Sequence, residues 1–167
     1  MAEKERIFSS SIKYRGIFSF KDFYKFCYDW LTEETGMDVA ETKYEEKLSG
    51  DEKEVKVEWI GTDKVTDYFK FEAKVVFEIK NMKEVEIVQG GAKIKTNQGG
   101  VKTSVKGTLI RDYEGKFEKN AFQKFSRGIY EKWVIHSRVE QFEEKLIRDL
   151  DEFLAEAKSF LDLEGKK

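Results

Sequence analysis

Residues 67–80 read DYFKFEAKVVFEIK, and they decide the fold. Phe69, Phe71, Ala73, Val75, Phe77 and Ile79 share one parity, while Lys70, Glu72, Lys74 and Glu78 hold the other. Successive side chains of a strand point to opposite faces, so this alternation predicts a half-buried β-strand. A sheet with one apolar face needs a cover, and the rest of the chain must supply it.

Working outward, Val55, Val57 and Trp59 alternate with Glu54, Lys56 and Glu58 in a preceding strand. Thr42, Tyr44 and Leu48 mark a strand before that, closed by the turn Ser49-Gly50-Asp51. Downstream, Asn81-Met82 reads as a turn, and Val85 and Ile87 open another strand. Gly90-Gly91 reads as a bulge or bend, Ile94 continues beyond it, and Asn97-Gln98-Gly99-Gly100 reads as a second turn. Val101, Thr103, Val105, Gly107 and Leu109 then mark the last long strand. Strands joined by connections this short pair antiparallel, as a meander.

Ile7 to Phe18 reads as an extended lead-in. Ser19 and Asp22 give a capping-box start, and Phe23, Phe26, Cys27, Trp30 and Leu31 follow at helical spacing up to Gly36. Tyr24 and Tyr28 fall to the side of that stripe. Phe122, Phe125, Ile129 and Trp133 predict a helix from about Asn120, and the stripe breaks at Ile135-His136. Ser137 with Glu140 then opens a long amphipathic helix through Val139, Phe142, Leu146, Leu150, Phe153, Ala157 and Phe160. The expectation is one α+β domain spanning 1–167: a curved antiparallel β-meander packed against a long C-terminal helix, with an N-terminal helix. This element order resembles the helix-grip fold, which implies a sheet wrapped around the last helix and, often, an apolar ligand between them.

Phe18-Ser19-Phe20-Lys21-Asp22-Phe23-Tyr24, Tyr28-Asp29-Trp30-Leu31 and Arg111-Asp112-Tyr113-Glu114-Gly115-Lys116-Phe117 resemble a family of small uncharacterised archaeal α+β proteins. The resemblance implies a prokaryotic cytosolic protein and no activity, so it carries no functional residue over.

Composition excludes several function classes. Across 167 residues, 31 Lys+Arg nearly cancel 33 Asp+Glu, leaving no global field to attract nucleic acid or anionic lipid. No apolar run approaches the ~18 residues of a membrane span, and the charged N-terminus lacks a secretory signal, so a cytoplasmic protein is expected. One Cys and one His exclude cysteine-rich zinc sites and two-His metal motifs, and no metal or cofactor is expected. Cys27 and His136 would make a thiol–imidazole pair only if the fold joined them, and Cys27 sits in an aromatic stripe typical of a core residue. Asp67 and Asp112 flank strand ends beside Lys64, Lys70 and Arg111, which suits exposed ion pairs better than acid–base catalysis. Lys93, Lys95, Lys102 and Lys106 form a basic run diluted by Glu84 and Glu86, so nucleic acid is not the expected partner.

The remaining anomaly lies on the polar face of the sheet. Val76 breaks parity, as do Ile60, Val88 and Ile110. A hairpin centred on Asn81-Met82 would set Val76 opposite Val88, with Ile110 alongside. The expectation is therefore a non-enzymatic interaction protein. It would form a homo-oligomer or bind a protein partner by burying Ile60, Tyr68, Val76, Val88 and Ile110. The alternative is a helix-grip carrier of a small apolar ligand, held among Trp59, Phe71, Phe77, Leu109, Phe142 and Phe153.

Overall fold

The computed structural model describes residues 3–66, 68–111 and 136–166. Their order is β1 (Glu3–Phe18), α1 (Phe20–Glu34), β2 (Asp38–Ser49), β3 (Glu52–Lys64), β4 (Phe69–Gln89), β5 (Ala92–Arg111) and α2 (His136–Glu164). The strands form one antiparallel sheet in the order β1-β5-β4-β3-β2. Strands β2 to β5 make the predicted meander. β1 adds to the far side of β5, and the sheet remains open at β1 and β2. Among the described residues, no helix is long and apolar enough to cross a membrane.

Local chemistry sets the helix ends. Ser19 caps α1 in an extended conformation, its hydroxyl accepting from the Asp22 amide at 3.3 Å. Gly36, just past the Thr35 C-cap, takes φ +74°, the left-handed geometry that stops a helix with little steric cost. The stripe Phe23, Cys27 and Leu31 is buried, as its spacing predicts. Phe26 and Trp30 meet α2 instead: Phe26 stacks on Phe160 at 4.7 Å and Trp30 lies 5.7 Å from Phe153.

The odd positions of β4 from Phe69 to Ile79 are all buried, and the helices cover that face. Leu146, Leu150, Phe153, Ala157 and Leu161 of α2 are fully enclosed. Gly107 makes the close approach possible, because a Cβ there would lie 2.5 Å from Leu150 Cδ1. Lys158 fastens the far end of α2 to the sheet, donating to the Lys13 carbonyl at 2.8 Å.

The turn reading of the central strands is corrected. Asn81-Met82 is no turn, and Asn97–Gly100 is strand throughout. β4 and β5 are one long hairpin that reverses at Gly90-Gly91, where both glycines have positive φ. The register slips between Lys80↔Gly100 and Lys83↔Gln98, so Asn81 and Met82 together oppose Gly99 in a β-bulge. Asn81 takes φ +55° there, and a Cβ on Gly99 would strike the Met82 Cα at 2.9 Å. The turn-forming residues of both strands thus meet across the ladder and build a bend in it.

The predicted helix from Asn120 to Trp133 and the Asp67–Asp112 pairing lie outside the described residues. So does the His136 side chain and, with it, any Cys27–His136 pair. Cys27 itself is buried, and burial pushes its thiol well above the ordinary range.

Candidate functional site

The bulge matters because of what lies beyond it. β3 last pairs with β4 at Lys53↔Met82, and β1 last pairs with β5 at Phe18↔Asn97. Beyond those pairs, among the described residues, β4 and β5 pair only with each other, from Val85↔Thr96 to Gln89↔Ala92. At ~3.3 Å per residue, this two-stranded arm projects roughly 20 Å past its neighbours.

Paired residues share a face, so the register assigns the arm's two surfaces. Val85/Thr96, Ile87/Ile94 and Gln89/Ala92 line one, and Glu84/Asn97, Glu86/Lys95 and Val88/Lys93 line the other. The second surface carries an ion pair between Lys95 and Glu84 at 3.7 Å. Ile94 is 38% exposed and Val88 70% exposed. The arm is therefore amphipathic, with an aliphatic rung of half-buried Ile87 and exposed Ile94, and two strand edges whose backbone groups have no strand neighbour among the described residues. Leu48, 72% exposed beside the β2–β3 turn, adds a further apolar group near the arm's base.

The five residues expected to form one outer patch are placed apart. Val76 pairs with Ser104, not with Val88, and Ile110 pairs with Lys70. Val76 and Val88 stand twelve residues apart on the same strand, and Val76 and the Lys70/Ile110 pair six apart. Ile110 and Tyr68 are buried, at 4% and 6% exposure, and Tyr68 packs edge-on against Phe69. Ile60 and Val76 are half-buried among charged neighbours. The bulge also moves Val88 to the opposite face, because one extra residue reverses side-chain parity. Only Val88 of the five lies on the arm.

The six residues of the alternative pocket come together, but as packing. Trp59, Phe71, Phe77, Leu109 and Phe153 are all at 2% exposure or less. Trp59 and Phe77 lie 4.8 Å apart, and Phe142 packs 6.4 Å from Phe71 and 5.3 Å from Phe69. Beside this core, α1 and β2 hold a cluster that sequence periodicity does not reveal. The Tyr24 hydroxyl donates to Glu41 Oε1 at 2.6 Å, and Trp59 Nε1 donates to the same oxygen at 3.3 Å. Tyr28 meets Trp59 edge-on at 5.8 Å, and Tyr44 donates to Glu46 at 2.8 Å. Burial and the carboxylate partner push the Tyr24 and Tyr44 phenols each up to about 12. This arrangement orients hydroxyls and leaves no nucleophile activated. Among the described residues, no group of three or more His, Cys, Asp or Glu is set to hold a metal ion.

Comparison with known proteins finds no matching family model and no matching curated sequence.

Proposed function

We propose that this chain is a non-enzymatic interaction protein that self-associates through the β4–β5 arm. The observation carrying the reading is the ribbon from Lys83 to Thr96, which has no strand neighbour among the described residues, with Ile87 and Ile94 paired on its apolar face. A two-stranded hairpin is marginal by itself in water and gains stability when its apolar face is covered. The covering partner is a second copy. Two such arms, related by a two-fold axis, stack Val85, Ile87, Ile94 and Thr96 against the same residues and leave the charged surfaces in water. Each aliphatic side chain fully removed from water contributes roughly 1.5–3 kcal/mol before the cost of association. The arm is small beside the ~1,200–2,000 Å² of a standard interface, so the dimer is reversible with dilution.

The test is native mass measured across a concentration series, with I87K/I94E compared against V76E. Association that disappears in I87K/I94E and survives in V76E supports the arm. Loss in V76E alone would return the contact to the outer sheet face.

The carrier reading has one observation in its favour. Thr103 is fully buried on the helix-covered face, and its hydroxyl has no hydrogen-bond partner among the described residues. A co-purifying small adduct in the same mass spectra, released by T103V, supports that reading in place of the first.

A further inference from the structure

The outer face of the sheet, away from the helices, is divided in charge. On β2 and β3 two outward lysines are matched: Lys43 pairs with Glu45 at 3.4 Å and Lys56 with Glu58 at 4.0 Å. On β1 and β5 they are not. The register turns Arg6, Ser9, Ser11, Lys13 and Arg15 outward from β1, facing Thr108, Lys106, Ser104, Lys102 and Gly100 on β5. Every side chain in that pairing is cationic, hydroxyl-bearing or absent. Acidic groups enter only at β4, through Glu72 and Glu78.

Like charges sit directly opposite one another twice. Lys13 pairs with Lys102, and Lys106 pairs with Lys74 of β4. Directly opposed like charges weaken a ladder. Among the described residues, no carboxylate lies within ion-pair distance of Arg6, Lys13, Arg15, Lys102 or Lys106. At the upper end, where the Asn81-Met82 bulge bends the sheet, Lys13, Arg15, Lys80 and Lys102 border an open cleft of about 510 Å³. Gly100 leaves the β5 backbone bare beneath it, and Glu78, the cross-strand partner of Lys102 on β4, closes the cleft on that side.

We infer that the β1–β5 outer half-face binds the phosphodiester backbone of nucleic acid without reading its bases. Past the bulge between Arg6 and Phe8, outward side chains of β1 repeat every second residue from Ser9 to Arg15, ~6.6 Å apart, a spacing close to that of successive phosphates in an extended strand. Lysine, arginine and hydroxyl groups are the side chains that contact phosphate and sugar. The outward positions between Arg6 and Arg15 hold no large aliphatic group to enter a bilayer, which favours a phosphodiester strand over a membrane, and no aromatic ring to stack on a base, which limits the contact to the backbone. The near-zero charge of the whole chain hides this surface, because the carboxylates of the same outer face, Glu45, Glu54, Glu58, Glu72 and Glu78, lie on β2, β3 and β4.

The test is fluorescence anisotropy of a labelled 20-nucleotide oligo-dT with the full chain from 50 to 300 mM salt. Engagement of about five phosphates gives a slope of about −3.5 in log affinity against log salt. K13E/K102E lowers affinity at least tenfold and removes about 1.4 from the slope. K43E/K56E makes the same change in net charge on the ion-paired half and leaves affinity within twofold. If charge reversal prevents folding, K13Q/K102Q is read in its place. No binding at 50 mM salt overturns the inference, as does equal loss in the two double variants. Binding to phosphatidylserine vesicles without binding to oligo-dT overturns it in favour of a membrane.

Discussion

Gly99→Ala tests the bulge on which the arm depends, and its neighbour supplies the control. A Cβ at Gly99 would lie 2.9 Å from the Met82 Cα, 3.0 Å from the Lys80 carbonyl oxygen and 3.2 Å from that of Asn81. All three are backbone atoms, so relief requires the bulge itself to move rather than a side chain to rotate. Overpacking of this kind costs roughly 1–3 kcal/mol. At Gly100 the nearest atoms to a new Cβ stand at 3.9 Å, which is ordinary contact. Neither glycine has positive φ. Both substitutions therefore reduce unfolded-state entropy alike, a stabilisation of about 0.4–1 kcal/mol common to the two. The difference between the variants isolates the steric term. For a chain of this size it lowers the melting temperature of G99A below that of G100A by roughly 3–10 °C. Thermal and urea melts followed by circular dichroism measure it. Equal stability of G99A and G100A would refute the bulge, and with it the parity that sets the two faces of the arm.

Three further outcomes follow from the same geometry. Leu150→Ala, which empties the fully buried contact over Gly107, destabilises by about 2–5 kcal/mol in urea melts, whereas Ile147→Ala at a 38% exposed position changes little. Tyr24 and Tyr44 ionise near 12 rather than at the ordinary 10, so phenolate absorbance at 295 nm rises late. Because their folded values are raised, the stability they lend is present below pH 10 and lost as pH climbs toward 12, and E41Q brings the Tyr24 midpoint down. Cys27 resists thiol reagents in the native protein and reacts fully in denaturant, its burial keeping it protonated and covered.

Much of the fold was legible because one-sided burial writes parity into sequence. The buried positions from Phe69 to Ile79 alternate as predicted, with Val76 the one apolar residue out of step, and the α1 and α2 stripes name the residues that close over them. The misreading arose at Asn81-Met82 and Asn97–Gly100, where turn-forming residues serve a bulge inside a ladder. Local chemistry is the same in both settings. What separates them is the strand opposite, and no short window contains both Asn81 and Gly99. That error propagated to the candidate site. A turn at residue 81 would have placed Val76 beside Val88, whereas a bulge sets them far apart along one strand and turns Val88 over. The true reversal is at Gly90-Gly91, where among the described residues two consecutive glycines take positive φ, whereas the pair Gly99-Gly100 does not. The Tyr24–Glu41–Trp59 cluster was invisible for another reason: its members come from a helix and two strands, and polar contacts of that range leave no periodicity. The outer-face lysines were legible only as a diluted run, because Lys93 and Lys95 share the arm with Glu84 and Glu86, while Lys102 and Lys106 lie with Lys13 and Arg15.

Sedimentation equilibrium of the native chain against a shortened hairpin tests the self-association account most directly. The shortened chain replaces residues 85–96 with Asn-Gly, joining the paired Glu84 and Asn97 by a two-residue turn. It keeps the Asn97 side chain that accepts from the Phe20 amide. The account predicts a reversible dimer for the native chain and a monomer for the shortened one, with melting temperatures that agree at low protein concentration. A native chain that stays monomeric at high concentration, or a shortened chain that still dimerises, would contradict it.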